Sequence, residues 1–106
     1  MGKKKTELMK YLIEFAGKVR KLVNVDRFIL FGSKARGDGD VDSDVDLLII
    51  SKDFEGVKFF KRAPMFYLLW NAPYDVDIIC LTPNELARKS GEIGVVRQAM
   101  SEAVEL

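Results

Sequence analysis

Two carboxylates stand where an apolar strand begins, and this feature constrains the fold more than any other in the sequence. Asp44 and Asp46 are two residues apart and are followed by the apolar run 47–50. Residues two apart on a strand point to the same face, so both carboxylates lie side by side at the start of a buried strand. Adjacent anions make each other's ionisation less favourable, which indicates a cation between them. Magnesium fits, because it prefers oxygen ligands and completes its shell with substrate phosphates.

Another strand is predicted to end at a glycine shortly before these acids. The apolar run 28–31 has the length of a buried strand, and Gly32 and Ser33 interrupt it. Glycine lets a phosphate approach the backbone closely, and the N–H groups that open a short helix can hold its oxygens together with the Ser33 hydroxyl. The sequence therefore predicts that a phosphate and a metal share one pocket.

A third strand, predicted over 74–81, offers one more acid to this pocket. Asp75 and Asp77 are again two residues apart and share a face. If this strand lies beside the one that follows Asp44, either acid can supply a third carboxylate. Cys80 lies in the same apolar run, and we interpret it as a small buried side chain without a chemical role.

Helices are predicted on both sides of these strands. One amphipathic helix begins at Thr6, and its inward face is Leu8, Leu12, Phe15, Val19 and Leu22. Glu14 and Lys18 lie on its outer side in the order that favours an ion pair. A capping box over 82–85 starts a second helix that ends at 90–91. A last helix from about Glu92 is expected to turn four apolar residues inward: Val96, Met100, Ala103 and Val104.

The aromatic segment 57–71 is harder to interpret, because Pro64 lies within it. Either a helix starts near Pro64 or a longer helix is broken there. Apolar residues on most sides predict burial for most of the segment. We expect Met65, Leu69 and Trp70 to be available to a partner.

Length and composition limit what the chain can be. With 106 residues, of which 48% are hydrophobic, we expect one domain over residues 1–106, with a small mixed sheet flanked by helices in the α+β class. The formal charge of +1 gives no reason to expect nucleic-acid or membrane binding. There is no histidine and one cysteine, which excludes histidine bases and internal disulfides and is consistent with the cytoplasm.

The central motif resembles the signature of the DNA polymerase β-like nucleotidyltransferase superfamily, and most of all its minimal nucleotidyltransferases. Gly32-Ser33 is followed after ten residues by Asp44-Val45-Asp46, with Ala35-Arg36-Gly37 between them and Ser43 before the first acid. The resemblance implies the nucleotidyltransferase fold and a metal-dependent transfer of AMP from ATP to a hydroxyl. It also favours Asp77 over Asp75 as the third carboxylate.

The resemblance implies roles for the residues of the motif. Asp44 and Asp46 are expected to hold two Mg²⁺ ions that orient the triphosphate, and Asp77 to complete one ion's shell or accept the proton. Gly32 and Ser33 are expected to hold the leaving phosphates. Two basic residues between the glycine turn and the acids, Lys34 and Arg36, are candidates for neutralising phosphate charge.

Minimal nucleotidyltransferases are commonly encoded with a small helical HEPN-type partner. The resemblance therefore implies an antitoxin that transfers AMP to a tyrosine of that toxin, in a homo- or hetero-oligomer. Two alternatives stay open. One is an enzyme that modifies a small molecule such as an antibiotic together with a companion subunit. The other is a non-catalytic antitoxin that neutralises its partner by binding.

Overall fold

The computed structural model of the protein describes residues 2–31, 44–91 and 104–106, and it has the predicted α+β class. In chain order its elements are helix α1 (Gly2–Leu22), strands β1 (Arg27–Phe31) and β2 (Val45–Ile50), a short 3-10 helix (Lys52–Phe54), helices α2 (Phe59–Arg62) and α3 (Pro64–Leu69), strand β3 (Val76–Leu81), helix α4 (Pro83–Gly91) and strand β4 (Val104–Glu105).

The strands of the described residues form one mixed sheet in the order β3-β2-β1-β4. Strand β1 is antiparallel to both β2 and β4, whereas β2 and β3 are parallel. A parallel neighbour requires a crossover connection, and the chain between β2 and β3 provides it with the 3-10 helix, α2 and α3. The prediction of a small mixed sheet flanked by helices is confirmed.

Both faces of the sheet are covered. Helices α1 and α3 pack on the face that carries Phe28, Leu30, Val45, Leu47, Ile49, Ile78 and Cys80. Helix α4 packs on the other face, where its Leu86 joins Ile29, Leu48, Ile50 and Leu81. The apolar run of β2 thus alternates between two separate clusters, which explains why the sequence shows no polar positions in it.

Helix α1 is longer than predicted. It begins at Gly2 rather than at Thr6. Four of the five inward positions are buried as expected, but Leu22 is 55% exposed, because it is the last residue of the helix. The predicted ion pair between Glu14 and Lys18 is present, with 3.4 Å between the carboxylate and the ammonium nitrogen.

The aromatic segment forms two short helices, with Pro64 at the first position of α3. The expectation of burial is correct for Phe66, which is fully buried, but wrong for Phe59 and Phe60. Among the expected partner residues, Met65 is exposed, whereas Leu69 and Trp70 pack against the core. The Trp70 ring lies edge-on to Phe15 at 5.1 Å and its N–H donates to the Tyr74 carbonyl, so this side chain is structural.

The chain ends in a strand where the sequence predicted a helix. Val104, expected on the inward face of a last helix, pairs with Leu30 in β4. The Leu106 amide donates to the Phe28 carbonyl over 2.8 Å, and the Arg20 guanidinium donates to the Leu106 carbonyl. The Val104 prediction failed because hydrogen bonding to the open edge of β1 is a long-range effect that apolar spacing does not report. The other three inward positions, within 92–103, lie outside the described residues.

Side chains from the crossover form hydrogen bonds with the outer edge of β3. The Tyr67 hydroxyl accepts a hydrogen bond from the Ile78 amide over 2.9 Å. The buried Arg62 guanidinium donates to the Cys80 carbonyl and to Glu85 at the start of α4. Glu85 in turn accepts from the Thr82 amide, as the predicted capping box requires. Arg62 therefore joins α2, β3 and α4 through one side chain.

No helix within the described ranges is both long enough and apolar enough to cross a membrane.

Replacing Arg62 by alanine should destabilise the protein by about 2 kcal/mol, because the Glu85 carboxylate and the Cys80 carbonyl lose a buried donor. Urea unfolding followed by circular dichroism measures this change. Lys61→Ala, on the same helix but exposed, is the matched control and should leave the unfolding midpoint unchanged. Equal midpoints for the two variants would contradict the role given to Arg62.

The Glu85 carboxylate should make stability depend on pH in acid. Hydrogen bonds from Arg62 and from the Thr82 amide lower the pKa of Glu85 from 4.5 to about 2. A carboxyl group whose pKa is lowered in the folded state stabilises the protein at pH values above its ordinary pKa of 4.5. This stabilisation is lost as the pH falls towards 2. The difference in unfolding free energy between wild type and Glu85→Gln should therefore shrink as the pH falls from 4.5 to 2. A difference that stays constant over this range would refute the assignment.

Candidate active site

The parallel pairing of β2 and β3 places two acids in register. Asp46 is the Cα partner of Asp77, and neighbouring strands lie about 4.8 Å apart. Side chains of paired residues point to the same face of a sheet. The two carboxylates therefore stand side by side, on the face that α4 covers further along the strands.

Two further acids lie at the same end of the sheet. Asp44 immediately precedes β2, and Asp75 immediately precedes β3. The amide of Val45 donates to the Asp75 carbonyl over 2.8 Å, which extends the pairing of the strands back to these acids. Both side chains are exposed. The predicted acids Asp44, Asp46 and Asp77 are thus brought together at one sheet end, with the alternative Asp75 beside them.

An aromatic residue borders the paired carboxylates on the side of β1. Phe31 is the Cα partner of Asp46, so the ring and the carboxylate share a face, and Phe31 packs with the smaller core cluster. Sequence reasoning did not assign Phe31 to the site, although its place directly before Gly32 was a usable signal. The predicted phosphate-binding residues Gly32, Ser33, Lys34 and Arg36 lie outside the described residues.

The electrostatics of Asp46 reflect this environment. Partial burial raises the pKa of Asp46 above its usual value of 3.8, and the neighbouring charges of Asp77 and Asp44 raise it further. All three effects act in one direction, because burial and like charges both disfavour the ionised carboxylate. Asp46 is held where a positive charge would relieve an unfavourable interaction.

The carboxylates fit a divalent cation in their chemistry. Within residues 2–31, 44–91 and 104–106, no three acidic or thiol side chains are arranged to hold a metal ion by themselves. Magnesium does not require such a set, since it is commonly bound by one or two carboxylates together with substrate phosphates and water. Asp46 and Asp77 match this mode of binding, with Asp44 at the same end.

The single cysteine is not part of the site. Cys80 is buried in the larger core cluster, and burial raises the pKa of its thiol to about 12. A thiol that stays protonated at neutral pH is a poor nucleophile and a poor metal ligand. This observation agrees with the interpretation of Cys80 as a buried apolar side chain.

Comparison with known proteins identifies the family. The sequence profile described as "Nucleotidyltransferase domain" matches residues 12–69, more than half of the chain. A protein of Methanocaldococcus jannaschii named "Putative protein adenylyltransferase" is 35% identical over 72 residues, which span 66% of this chain and 73% of that protein.

A solved structure agrees with the sequence comparisons. The crystal structure of "a putative nucleotidyltransferase from Sulfolobus solfataricus" superimposes with a TM-score of 0.67 and 29% identity, over 79% of this chain and 75% of that one. The profile match, the curated relative and the shared fold point to the same activity. The chain belongs to the nucleotidyltransferase domain family and is a nucleotidyltransferase.

Proposed function

We propose that this chain transfers AMP from ATP to a hydroxyl group of a protein. The observation that carries the proposal is the register of Asp46 with Asp77, which sets two carboxylates side by side at one end of the sheet. A protein acceptor is favoured by the name of the Methanocaldococcus jannaschii relative, "Putative protein adenylyltransferase". The acceptor we propose is a tyrosine of a HEPN-type toxin, in line with the resemblance to minimal nucleotidyltransferases, with the chain acting as its antitoxin in the cytoplasm.

Magnesium is part of this proposal. Asp44, Asp46 and Asp77 would hold two Mg²⁺ ions, which when bound supply positive charge to the triphosphate and acidify the acceptor hydroxyl. The raised pKa of Asp46 supports the assignment, since a group that resists ionisation next to other anions gains most from a cation. Asp77 rather than Asp75 is proposed as the third carboxylate, because Asp77 is the strand partner of Asp46.

The remaining steps are assigned to the chain's own groups. Gly32 and Ser33 would hold the phosphates that leave as pyrophosphate, with Lys34 and Arg36 neutralising their charge. Asp77 would complete the metal shell or accept the proton of the attacking hydroxyl. Phe31 would border the carboxylates and limit access of water from the side of β1, because it pairs with Asp46. The attacking oxygen would form a bond to the α-phosphorus. At the same time the bond between the α-phosphorus and the bridging oxygen of the leaving pyrophosphate would break.

Transfer should require both paired carboxylates. With ATP labelled on the α-phosphate, magnesium and a host lysate, wild type should label a discrete protein band. Asp46→Asn and Asp77→Asn should each reduce labelling roughly a hundredfold or more, because the position and the charge balance of the metal fail together. Asp75→Asn is the matched control, an exposed acid at the same sheet end, and should retain activity within about threefold.

Two further reactions sharpen this test. ATP labelled on the γ-phosphate should give no band, because that label leaves with pyrophosphate, and removal of magnesium by EDTA should abolish labelling. Near-normal labelling by Asp46→Asn would overturn the proposal. Magnesium-dependent ATP binding without any labelled protein would favour a small-molecule acceptor, and absence of ATP binding would favour an antitoxin that acts by contact alone.

The Asp46→Asn substitution should abolish transfer but stabilise the fold at neutral pH. Asp46 has a raised pKa in the folded protein, so its ionised form is disfavoured and destabilises the folded state at neutral pH. Without magnesium, Asp46→Asn should therefore unfold at a higher urea concentration than wild type at neutral pH. This advantage should disappear as the pH falls below 3.8, where the carboxyl is protonated in both states. A variant that is less stable than wild type at neutral pH would contradict this account of the site.

A further inference from the structure

Helices α2 and α3 present an apolar surface to solvent. Their outward residues include Phe60, Met65 and Leu68, whose side chains are 69%, 49% and 87% exposed. Pro64 is exposed between them. We call these four residues the α2–α3 patch. Exposed apolar groups of this size in a small protein are typical of interaction sites.

The patch is continuous because the two helices share nearly one path. Ala63, which is both the C-cap of α2 and the N-cap of α3, has a helical backbone conformation (φ −82°, ψ −28°). Residues four apart then fall on one side, and this spacing relates Phe60 to Pro64 and Pro64 to Leu68. The stripe is about 12 Å long at 1.5 Å per residue, which matches two turns of a partner helix.

The exposed charges of the segment that carries the patch have one sign. The segment 56–74 contains no acidic residue, and its exposed charged residues are Lys58 and Lys61. The only other basic residue there, Arg62, is buried and paired with Glu85. An apolar stripe with lysines close to it in the chain complements an apolar stripe accompanied by carboxylates.

Helix α3 is attached to the edge of the sheet that β3 forms. Tyr67 of α3 accepts a hydrogen bond from the amide of Ile78, the residue that follows Asp77 in β3. This bond fixes α3 at the outer edge of β3, on the face of the sheet opposite the Asp77 carboxylate. The patch and the paired carboxylates therefore lie on either side of one sheet edge.

We propose that the α2–α3 patch docks an amphipathic helix of the acceptor protein, with an apolar stripe that is flanked by acidic side chains. This inference rests on the proposed function, because transfer to a protein requires a surface that binds that protein. It adds where the acceptor binds and which chemistry it presents. A second copy of this chain does not fit, because self-association through the patch would bring the lysines of both copies to one interface.

The probe for this surface is a pair of fluorescein-labelled helical peptides with the same leucine stripe. One peptide carries glutamate on both flanks of the stripe, and the other carries lysine. Fluorescence anisotropy should show that the glutamate peptide binds the full chain about tenfold or more tighter than the lysine peptide. Leu68→Ser should weaken its binding about 30-fold or more, and Lys58→Glu with Lys61→Glu should reverse the preference.

The matched control is Ile13→Ser, which removes an apolar side chain of α1 that is 65% exposed. Ile13 lies seven residues before Arg20 and so on the same side of α1. Arg20 contacts Leu106, next to β4, at the opposite edge of the sheet from α3. Peptide binding should be unchanged in this variant. Equal binding of both peptides, or equal loss in the Leu68 and Ile13 variants, would overturn the proposal.

Two measurements separate this inference from the proposed function. Asp46→Asn should lose nucleotide transfer but bind the glutamate peptide like wild type. Leu68→Ser should retain magnesium-dependent ATP binding but lose labelling of the protein acceptor.

Sedimentation of the chain alone should give the same mass for wild type and Leu68→Ser. A mass that falls in the variant would show that a second copy occupies the patch, and would refute the proposal.

Discussion

The parallel pairing of β2 with β3 is the constraint on which the rest of the structure depends. Antiparallel neighbours can be joined by a tight turn, but a parallel neighbour must be reached by a crossover that returns the chain to the same sheet end. That return aligns the starts of both strands, which is where their acids lie. It also places α2 and α3 along the outer edge of β3. The paired carboxylates and the apolar surface of α2 and α3 are therefore two results of one connection.

The paired acids oppose folding, yet the fold holds them in place. The backbone of Asp46 is fixed between Phe31 and Asp77 by the hydrogen-bonded ladders of β1, β2 and β3, so its carboxylate starts from a position next to its neighbours. Repulsion between fixed charges is relieved only when a cation or a proton arrives. Groups with shifted pKa values are common at functional sites, and a carboxylate held near other carboxylates contributes poorly to stability.

The sequence predicted the parts of the structure that depend on local pattern. Alternation placed Asp44 and Asp46 on one face, and the spacing of apolar residues predicted the buried side of α1. The pattern could not report pairing between distant segments. Val104 was assigned to a helix, because only the open edge of β1 makes it a strand. Phe60 was expected in the core because apolar content predicts burial, whereas the short helices turn this ring outward. The pairing of Asp46 with Asp77 likewise depends on the register of the sheet, which spacing along the chain does not report.

The hydrogen bonds that Arg62 and Tyr67 form with β3 affect how the protein behaves in concentrated solution. Strand β3 is an edge strand among the described residues, and the outward amide of Ile78 and carbonyl of Cys80 would otherwise be open to a strand from another molecule. Both groups are already bonded to side chains of the crossover. Addition of a strand from another molecule would have to replace these two hydrogen bonds. The sheet edge nearest the exposed apolar helices is therefore a poorer template for polymerisation than a bare strand of the same length.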